Sequence, residues 1–418
     1  MTVLEALGAG WALGLAGATA LAFTLHLLGV PASLFLPMVP VVTLLGLVGG
    51  VRCAMRRTSA RSLLGAGVCA VPILLLAPRL VRLALAAPLA RWDSWAIWGY
   101  KARLVLADGP TLRYFNDALT AYSHPDYPLN VPIAEAAAIR LGGTSAATLL
   151  GPACLIALLL LYAGGVTRLY GGIAAAVVTV LLACIPAFSL LAVRGDADMP
   201  LALYAGGGAL YLALWWRHRR AADALLFALF AGAAIWTKKE GLPLAGIYLV
   251  AFAAQEVRRP AEQRLFAPLL AALLLPLPWL LFTAIVRPTA TDFLPYTPSV
   301  LVSHLDRVPT ILRYLAGQAV TWDWWGVLWV LVAGAALLRR GSPLIPLLVL
   351  QLAAVAVPYI FSSWDPYTEH IKLSLDRLLA HLEPLAVLAL VDILQRVPPR
   401  FRLGVLKVES GAEETSSC

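Results

Sequence analysis

Charged residues are scarce in this sequence. Asp, Glu, Lys and Arg make up only 13% of its 418 residues, whereas 61% are hydrophobic. Soluble domains carry about 25% charged residues, so this composition excludes an ordinary soluble protein. Apolar runs of about 17 to 25 residues recur along the chain, and helices of that length cross a hydrocarbon core of about 30 Å. The sequence therefore predicts an all-α, polytopic transmembrane helical bundle.

The sequence also lacks the motifs of the common nucleotide and metal sites. It has no P-loop, no glycine-rich dinucleotide fingerprint and no HExxH motif. Its five cysteines lie in predicted spans, at their inner boundary or in the tail, which indicates neither a disulfide framework nor a cysteine metal site. No cofactor is certain, and a divalent cation held by carboxylates stays an open alternative.

About twelve apolar stretches are the predicted spans, joined by short outer-face loops. They cover residues 8–29, 32–51, 63–87, 145–163, 172–192, 199–216, 222–236, 241–254, 266–286, 325–338, 343–360 and 383–395. Glu5 is the only charged residue before the first stretch, and the basic segment of a signal peptide is missing there. We therefore expect a retained anchor rather than a signal peptide. TKKEG interrupts residues 222–254, where a re-entrant pair is an alternative to two spans.

The basic residues are distributed unequally between the two sides. Alternate connections and the tail hold 17 of the 32 Lys and Arg residues, and the other side holds equal numbers of basic and acidic residues. The positive-inside rule then places both termini in the cytoplasm and the chain in the plasma (inner) membrane. This asymmetry accounts for the net positive charge of the chain, so nucleic acid binding is a poor explanation of it. We expect a transmembrane domain over residues 1–404 and a disordered cytoplasmic tail over 405–418.

The first long outer loop, residues 88–144, begins with RWDSWAIWGYKAR. Its aromatic and basic side chains, Trp92, Trp95, Lys101 and Arg103 among them, are typical of a membrane–water interface. Asp93 does not fit that interpretation. A partly buried carboxylate between tryptophans costs free energy unless it is paired with a cation or has a functional role. The alternative is a candidate catalytic helix with an aromatic wall for a sugar or a lipid chain.

Farther along this loop, AYSHPDYPLNVP contains three prolines, which predict a stiff, non-helical segment. His124, Asp126 and Tyr127 either hold this turn together or face the same cavity as Asp93. Preorganised loops suit catalysis, so we treat Asp126 as a second catalytic candidate and the other two as substrate-binding candidates.

Three further outer segments carry ionisable residues. In RGDADMPL, Asp196 and Asp198 either cap the next helix or position a hydroxyl or a divalent cation. TKKEG supplies further candidates at a span boundary, namely Lys238, Lys239 and Glu240. In SSWDPYTEHIKLSLDRLLAHLEP, Arg377 either closes a salt bridge at a helix end or binds phosphate through its planar fork.

Together these segments resemble the GT-C superfamily of polytopic glycosyltransferases, in the branch of protein mannosyltransferases that use dolichyl-phosphate-mannose and of lipid A aminoarabinose transferases. The resemblance rests on the aspartate of RWDSW, the HPDYP turn, DADMPL, TKKEG and DRLL…EP in that order. It implies a sugar donor on a polyprenyl phosphate, outer-face transfer and Asp93 as catalytic residue. The chain departs from the family in two additional early spans, in the separation of Asp93 from Asp126, and in its short outer loops.

The chemistry of the residues agrees with that resemblance. Sugar transfer from a polyprenyl phosphate needs a base for the acceptor hydroxyl and cations for the departing phosphate. Asp93 is the predicted base, with inversion at the anomeric carbon. The predicted phosphate-binding cations are Arg377 and one of the TKKEG lysines. Lys101 and Arg103 of the first loop are the alternative candidates. The acceptor is a glycan, a lipid or a protein.

A polytopic transporter or flippase of an envelope lipid or glycan precursor is the competing class, and a noncatalytic scaffold is a third. Transporters place charged residues deep in their spans. The predicted spans here are nearly free of ionisable residues, and that distribution favours an interfacial enzyme that contacts membrane lipids.

Overall fold

The computed structural model describes residues 1–55, 60–86, 88–89, 91–107, 112–289, 292–338 and 341–396. In these residues the predicted all-α class is confirmed, and the only extended pairing is an isolated antiparallel bridge between Phe293 and Ser362. The α-helices are α1 Val3–Leu27, α2 Ala32–Phe35, α3 Met38–Met55, α4 Ala60–Ala86, α5 Tyr100–Leu106, α6 Leu112–Asn116, α7 Asn130–Ala147, α8 Leu150–Tyr170, α9 Gly172–Cys184, α10 Pro186–Arg194, α11 Asp198–His218, α12 Ala221–Thr237, α13 Gly241–Val257, α14 Ala267–Ala271, α15 Leu277–Val286, α16 Pro298–Ser303, α17 Val308–Ala319, α18 Trp322–Trp325, α19 Leu328–Leu338, α20 Leu344–Ile360, α21 Tyr367–Ala380 and α22 Glu383–Gln395. The 3₁₀ segments are Ala118–Ser123, Ala261–Gln263 and Leu305–Arg307, and Asp93–Gly99 forms π-helical turns. The predicted tail, 405–418, lies outside the described residues.

The chain is a multi-pass membrane protein. Every one of the predicted apolar stretches coincides with helix. Among the described residues, four helical stretches are long and apolar enough to cross a membrane alone: Val3–Leu27, Ala32–Met55, Ala66–Ala86 and Leu150–Tyr170. Two bent helix pairs raise that number to six, and further apolar helices have 10 to 17 residues. The count of about twelve spans, and the side on which each terminus lies, stay predictions.

Proline divides two of the predicted stretches. Residues 172–192 form two helices, α9 and α10, that meet at an angle of 59° where Pro186 lacks an N–H to continue the ladder. Residues 266–286 likewise divide into α14 and α15, with Pro276 between them. The TKKEG segment joins α12 and α13 as two separate helices.

Helices α8 and α11 form the centre of the bundle. α11 is buried from Asp198 to Trp215 and packs against α8, α12, α13 and α22. Buried tyrosines join these helices through satisfied hydroxyl groups, since the hydroxyl of Tyr162 donates to Gly206 O at 3.0 Å and that of Tyr204 donates to Ala12 O at 3.1 Å. Such hydrogen bonds orient helices where no water competes for their polar atoms.

A buried ionic cluster lies where α1 and α12 begin and α8 ends. Arg168 donates to both carboxylate oxygens of Asp223, at 2.7 and 2.8 Å, and to Glu5 at 2.6 Å. The Tyr211 hydroxyl donates to the same Glu5 oxygen at 3.1 Å. Glu5 and Arg168 lie just outside the predicted spans, and Asp223 is the charged residue of this group that lies inside one. We call these four residues the Arg168 cluster.

Candidate active site

At the opposite end of the bundle, four segments bring ionisable side chains together. Asp198 starts α11 there, and Tyr211 of the Arg168 cluster lies 13 residues farther along the same helix, which separates the two clusters by about 20 Å. The residues that meet at this end, which we call the acid–base cluster, are Asp93, Asp198, Lys238, Glu240, Arg377 and His381.

Asp93 points into this cluster. Its Oδ2 accepts a hydrogen bond from Arg377 Nη1, and the Asp93 side chain is 23% exposed. The other terminal nitrogen of Arg377 donates to Leu373 O at 3.2 Å, and Nε is buried without a hydrogen bond among the described residues. The guanidinium group therefore keeps a free donor beside the Asp93 carboxylate.

Asp198 is the centre of the cluster and is only 1% exposed. Its Oδ1 accepts hydrogen bonds from Lys238 Nζ at 2.7 Å and from His381 Nε2 at 3.0 Å, and its Oδ2 lies 3.7 Å from Arg377 Nη1. One buried carboxylate thus fixes the positions of two cations from different helices. Asp198 does not act as a cap of α11, because its side chain faces Lys238 rather than the helix N–H groups.

Asp196 does not cap α11 either, because Ala197 is the N-cap residue, but its carboxylate accepts a local turn hydrogen bond just before the helix. Its Oδ1 accepts the backbone N–H of Asp198 at 3.1 Å, and Arg194 Nε lies 3.0 Å from its Oδ2. Burial, and next the charge of Asp198, raise the pKa of Asp196 to about 7. Asp196 is consequently a titratable group close to the cluster at neutral pH.

The two lysines of TKKEG lie in the turn after α12, where Lys238 has an extended backbone, and they point in different directions. Lys238 is 7% exposed and also lies 3.3 Å from Glu240 Oε1, whereas Lys239 is 41% exposed and pairs with Asp126. The charge of Lys238 lowers the pKa of Glu240 against the opposing effect of burial. The segment therefore gives one lysine to the acid–base cluster and the other to the first loop.

Two glycines make these turns feasible. Gly195, between α10 and α11, has φ +73°, which non-glycine residues rarely adopt. Gly241 opens α13 so close to α12 that a Cβ there would lie 1.9 Å from Ala234 O. A side chain at Gly241 would push the lysine segment away from Asp198.

The loop from 121 to 129 is held against the cluster by polar contacts at both ends. His124 Nδ1 lies 3.1 Å from Asp292 Oδ2, and its ring stacks on Tyr127 with centroids 4.8 Å apart. Lys101 Nζ donates to His124 O at 3.1 Å, while Asp126 pairs with the exposed lysine of TKKEG. The histidine charge and a hydrogen bond hold the pKa of Asp292 below its usual range despite burial.

The aromatic residues divide into a buried and an exposed group. Trp98 is buried and lies against Tyr127, with centroids 5.7 Å apart. Trp92 and Trp95 are exposed and pack edge to face at 4.8 Å. The π-helical turns over 93–99 change the register expected of a regular helix over 92–104, and Trp98 consequently forms the wall beneath the loop.

Lys101 and Arg103, the reserve phosphate candidates, lie apart from the cluster. Lys101 is fully buried, its ammonium lies 4.7 Å from the Trp98 ring centroid, and burial lowers its pKa to about 7. Arg103 is exposed on α5. In this arrangement Lys101 braces the loop rather than facing a ligand.

Several buried carboxylates keep unused acceptor atoms, and three of them belong to the segments of this site. Asp126 Oδ1, Asp198 Oδ2 and Glu240 Oε2 are buried and have no hydrogen-bond partner among the described residues. Buried polar atoms are normally satisfied, so such oxygens mark places where a hydroxyl-bearing ligand or water can donate. Across the described ranges, no group of three His, Cys, Asp or Glu side chains is arranged to hold a metal ion.

The sequence interpretation missed three residues of this region, namely Arg194, Asp292 and His381. His381 had a readable signal, because it lies four residues after Arg377 and therefore on the same helix face. Asp292 had none, because only the tertiary fold brings its loop to His124.

This all-helical, multi-pass architecture is similar to the GT-C fold, so the resemblance predicted from five short motifs is confirmed at the level of the fold. The particular solved structures that the chain resembles are two crystal structures of ArnT from Cupriavidus metallidurans. The structure bound to undecaprenyl phosphate aligns with a TM-score of 0.54 and 15% identity, over 79% of this chain and 61% of that chain. The apo structure aligns with a TM-score of 0.50 and 16% identity, over 78% and 60%.

This chain therefore spans about 60% of the length of those structures. No family model matches the sequence, and no curated protein matches it significantly. The structural comparison establishes the fold, and the activity has to be argued from the site.

Proposed function

We propose that the protein is a glycosyltransferase that moves a sugar from a polyprenyl-phosphate carrier to an acceptor hydroxyl. The observation that carries the proposal is the contact of the partly exposed Asp93 carboxylate with Arg377, next to the buried pair of Asp198 and Lys238. A base and phosphate-binding cations side by side are the groups that this reaction needs. The similarity to ArnT bound to undecaprenyl phosphate supports the choice of carrier.

In the proposed reaction, Asp93 accepts the proton of the acceptor hydroxyl as its oxygen attacks the anomeric carbon. The bond between that carbon and the phosphate oxygen breaks, and the electron pair leaves with the polyprenyl phosphate. Arg377 and Lys238 stabilise the charge that develops on the leaving phosphate. A single displacement inverts the anomeric configuration, so the donor and the product should have opposite anomers.

The other side chains of the site would bind or position substrate in this scheme. The unused oxygens of Asp126, Asp198 and Glu240 would accept hydrogen bonds from sugar or acceptor hydroxyls. The exposed Trp92 and Trp95 would contact the isoprenoid chain or surrounding lipid. We also propose that this end of the bundle faces outward, with both termini in the cytoplasm, as the arginine distribution indicates.

The direct test is an assay on the purified chain in detergent or nanodiscs. A radiolabelled polyprenyl-phosphate sugar is incubated with membrane lipid and glycan fractions as acceptors. We expect labelled product, free polyprenyl phosphate and an inverted anomeric centre by NMR. Retention of configuration would exclude the single-displacement scheme.

A transporter or flippase is the second candidate, since the α9–α10 pair is bent as the discontinuous helices of transporters are. Residues at that bend are apolar, and Ile185 between the two helices is buried. Movement of labelled precursor across proteoliposomes without covalent transfer would favour this class.

A further inference from the structure

The acid–base cluster around Arg377 contains more carboxylates than permanent cations. Within the acid–base cluster, three carboxylates face two permanent cations, because Asp93, Asp198 and Glu240 accompany Arg377 and Lys238. A phosphate that enters this cluster adds negative charge. It can bind well only if one carboxylate gives up its cation.

The carboxylates differ in how firmly they are held. Asp198 is 1% exposed and accepts hydrogen bonds from both Lys238 and His381. Asp93 is 23% exposed, and Arg377 is its one side-chain partner among the described residues. Asp93 is therefore the carboxylate that can move away from its cation at the lowest cost.

Arg377 has the donors for such an exchange. Its Nη1 is shared between two carboxylates, and its Nε is buried and makes no hydrogen bond among the described residues. A phosphate in place of Asp93 would accept from both Nη1 and Nε in the bidentate manner that guanidinium groups favour. The backbone contact of Nη2 with Leu373 O would persist and keep the fork oriented.

We propose that the donor phosphate displaces Asp93 from Arg377, so that the Asp93 carboxylate becomes available as a base only when the donor is bound. This inference rests on the proposed function and adds an order of events to it. In the free protein the ion pair holds the partly exposed Asp93 carboxylate against Arg377. Donor binding moves the cation to the phosphate and leaves the carboxylate facing the acceptor hydroxyl.

The exchange makes Asp93 a competitor of the ligand, which is an unusual property for a catalytic carboxylate. Removal of its charge should therefore strengthen phosphate binding. The probe is undecaprenyl phosphate, titrated into the full-length protein in nanodiscs and followed by tryptophan fluorescence or thermophoresis. The variants are Asp93→Asn, Arg377→Gln and the double variant, which together form a double-mutant cycle.

We expect Asp93→Asn to bind undecaprenyl phosphate at least about fivefold more tightly than the wild type, at the low end of ordinary coupling free energies. Arg377→Gln should bind more weakly, and Asp93→Asn should give no gain in the Arg377→Gln background. The matched control is Glu369→Gln, which removes an exposed carboxylate of α21 that pairs with Lys372. This control should leave the affinity unchanged.

The outcomes separate the exchange from the proposed function. Unchanged or weaker binding by Asp93→Asn overturns the exchange and leaves the glycosyltransferase proposal standing. A gain that persists in the Arg377→Gln background also overturns it, because the effect is then general electrostatics. Absence of binding by the wild-type protein contradicts both proposals, and size-exclusion profiles of the variants exclude misfolding as a cause.

Discussion

Arg377 in the last turn of α21 and His381 directly after that helix both reach the same buried carboxylate, at 3.7 Å and 3.0 Å from the oxygens of Asp198. This contact fixes α21 against the start of α11, so the guanidinium group of Arg377 is held where Asp93 also reaches it. The position of the phosphate-binding candidate therefore depends on the buried carboxylate of Asp198.

Asp198→Asn should raise the KM for the donor by about tenfold or more. The substitution removes the 2.7 Å ion pair of Lys238 and leaves this buried lysine only the 3.3 Å contact with Glu240. Because removal of one partner of a buried ion pair destabilises a fold, the melting temperature in detergent should fall as well. The control Glu369→Gln should change neither value, and an unchanged KM for Asp198→Asn would show that Asp198 does not position the cations.

Affinity for the donor should rise as the pH falls from about 8 to about 6. The pKa of Asp196 is raised to about 7 by burial and by Asp198, while Arg194, Lys238 and Arg377 oppose that effect. A bound phosphodiester adds negative charge and favours the protonated carboxyl group, so binding takes up a proton. Asp196→Asn should flatten the dependence of KM on pH. The same slope in this variant would assign the proton to another group.

Lys101→Met should leave the donor KM within about twofold while it loosens the loop from 121 to 129. Methionine keeps the packing against Trp98 and removes the buried ammonium, whose replacement by an apolar group is often nearly neutral for stability. It loses the hydrogen bond to His124 O, so amide exchange in this loop should become faster. A large rise in KM with unchanged exchange would instead indicate a phosphate-binding role for Lys101.

Arg168→Met should destabilise the fold and leave the acid–base cluster unchanged. It leaves Glu5 and Asp223 buried and unpaired, at a cost of about 3–5 kcal/mol, and the two clusters are about 20 Å apart. Thermal unfolding in detergent should shift by several degrees, and the KM of the surviving protein should be unchanged. The control is Arg113→Gln, since Arg113 is exposed and pairs with Asp117 on the surface. Exposed pairs contribute about 1 kcal/mol or less.

The fold could be predicted largely from hydropathy, because lipid requires a helix to satisfy its own backbone. Each predicted stretch is mainly helical, and several are interrupted by short breaks between helices, two of them at Pro186 and Pro276, where an N–H is missing. The polar segments that carry the site candidates were also readable, since charge in an otherwise apolar chain is conspicuous.

The pairing of these candidates could not be predicted from the sequence. Which lysine of TKKEG faces Asp198, and which faces Asp126, depends on the angle between α12 and α13. The π-helical turns after Asp93 change which tryptophan is buried, and nothing in RWDSWAIWGYK indicates them. The contact between His124 and Asp292 joins residues far apart in the chain, so it arises only from tertiary packing.

Sugar transfer by Asp93→Asn measures whether the Asp93 carboxylate takes the proton of the acceptor hydroxyl. The assay uses a polyprenyl-phosphate sugar at saturating concentration, so that donor binding does not limit the rate. We predict that kcat falls by about 10²-fold or more, as expected for loss of a general base, while undecaprenyl phosphate still binds. A stably folded Asp93→Asn protein that transfers sugar at a rate close to that of the wild type would contradict the account.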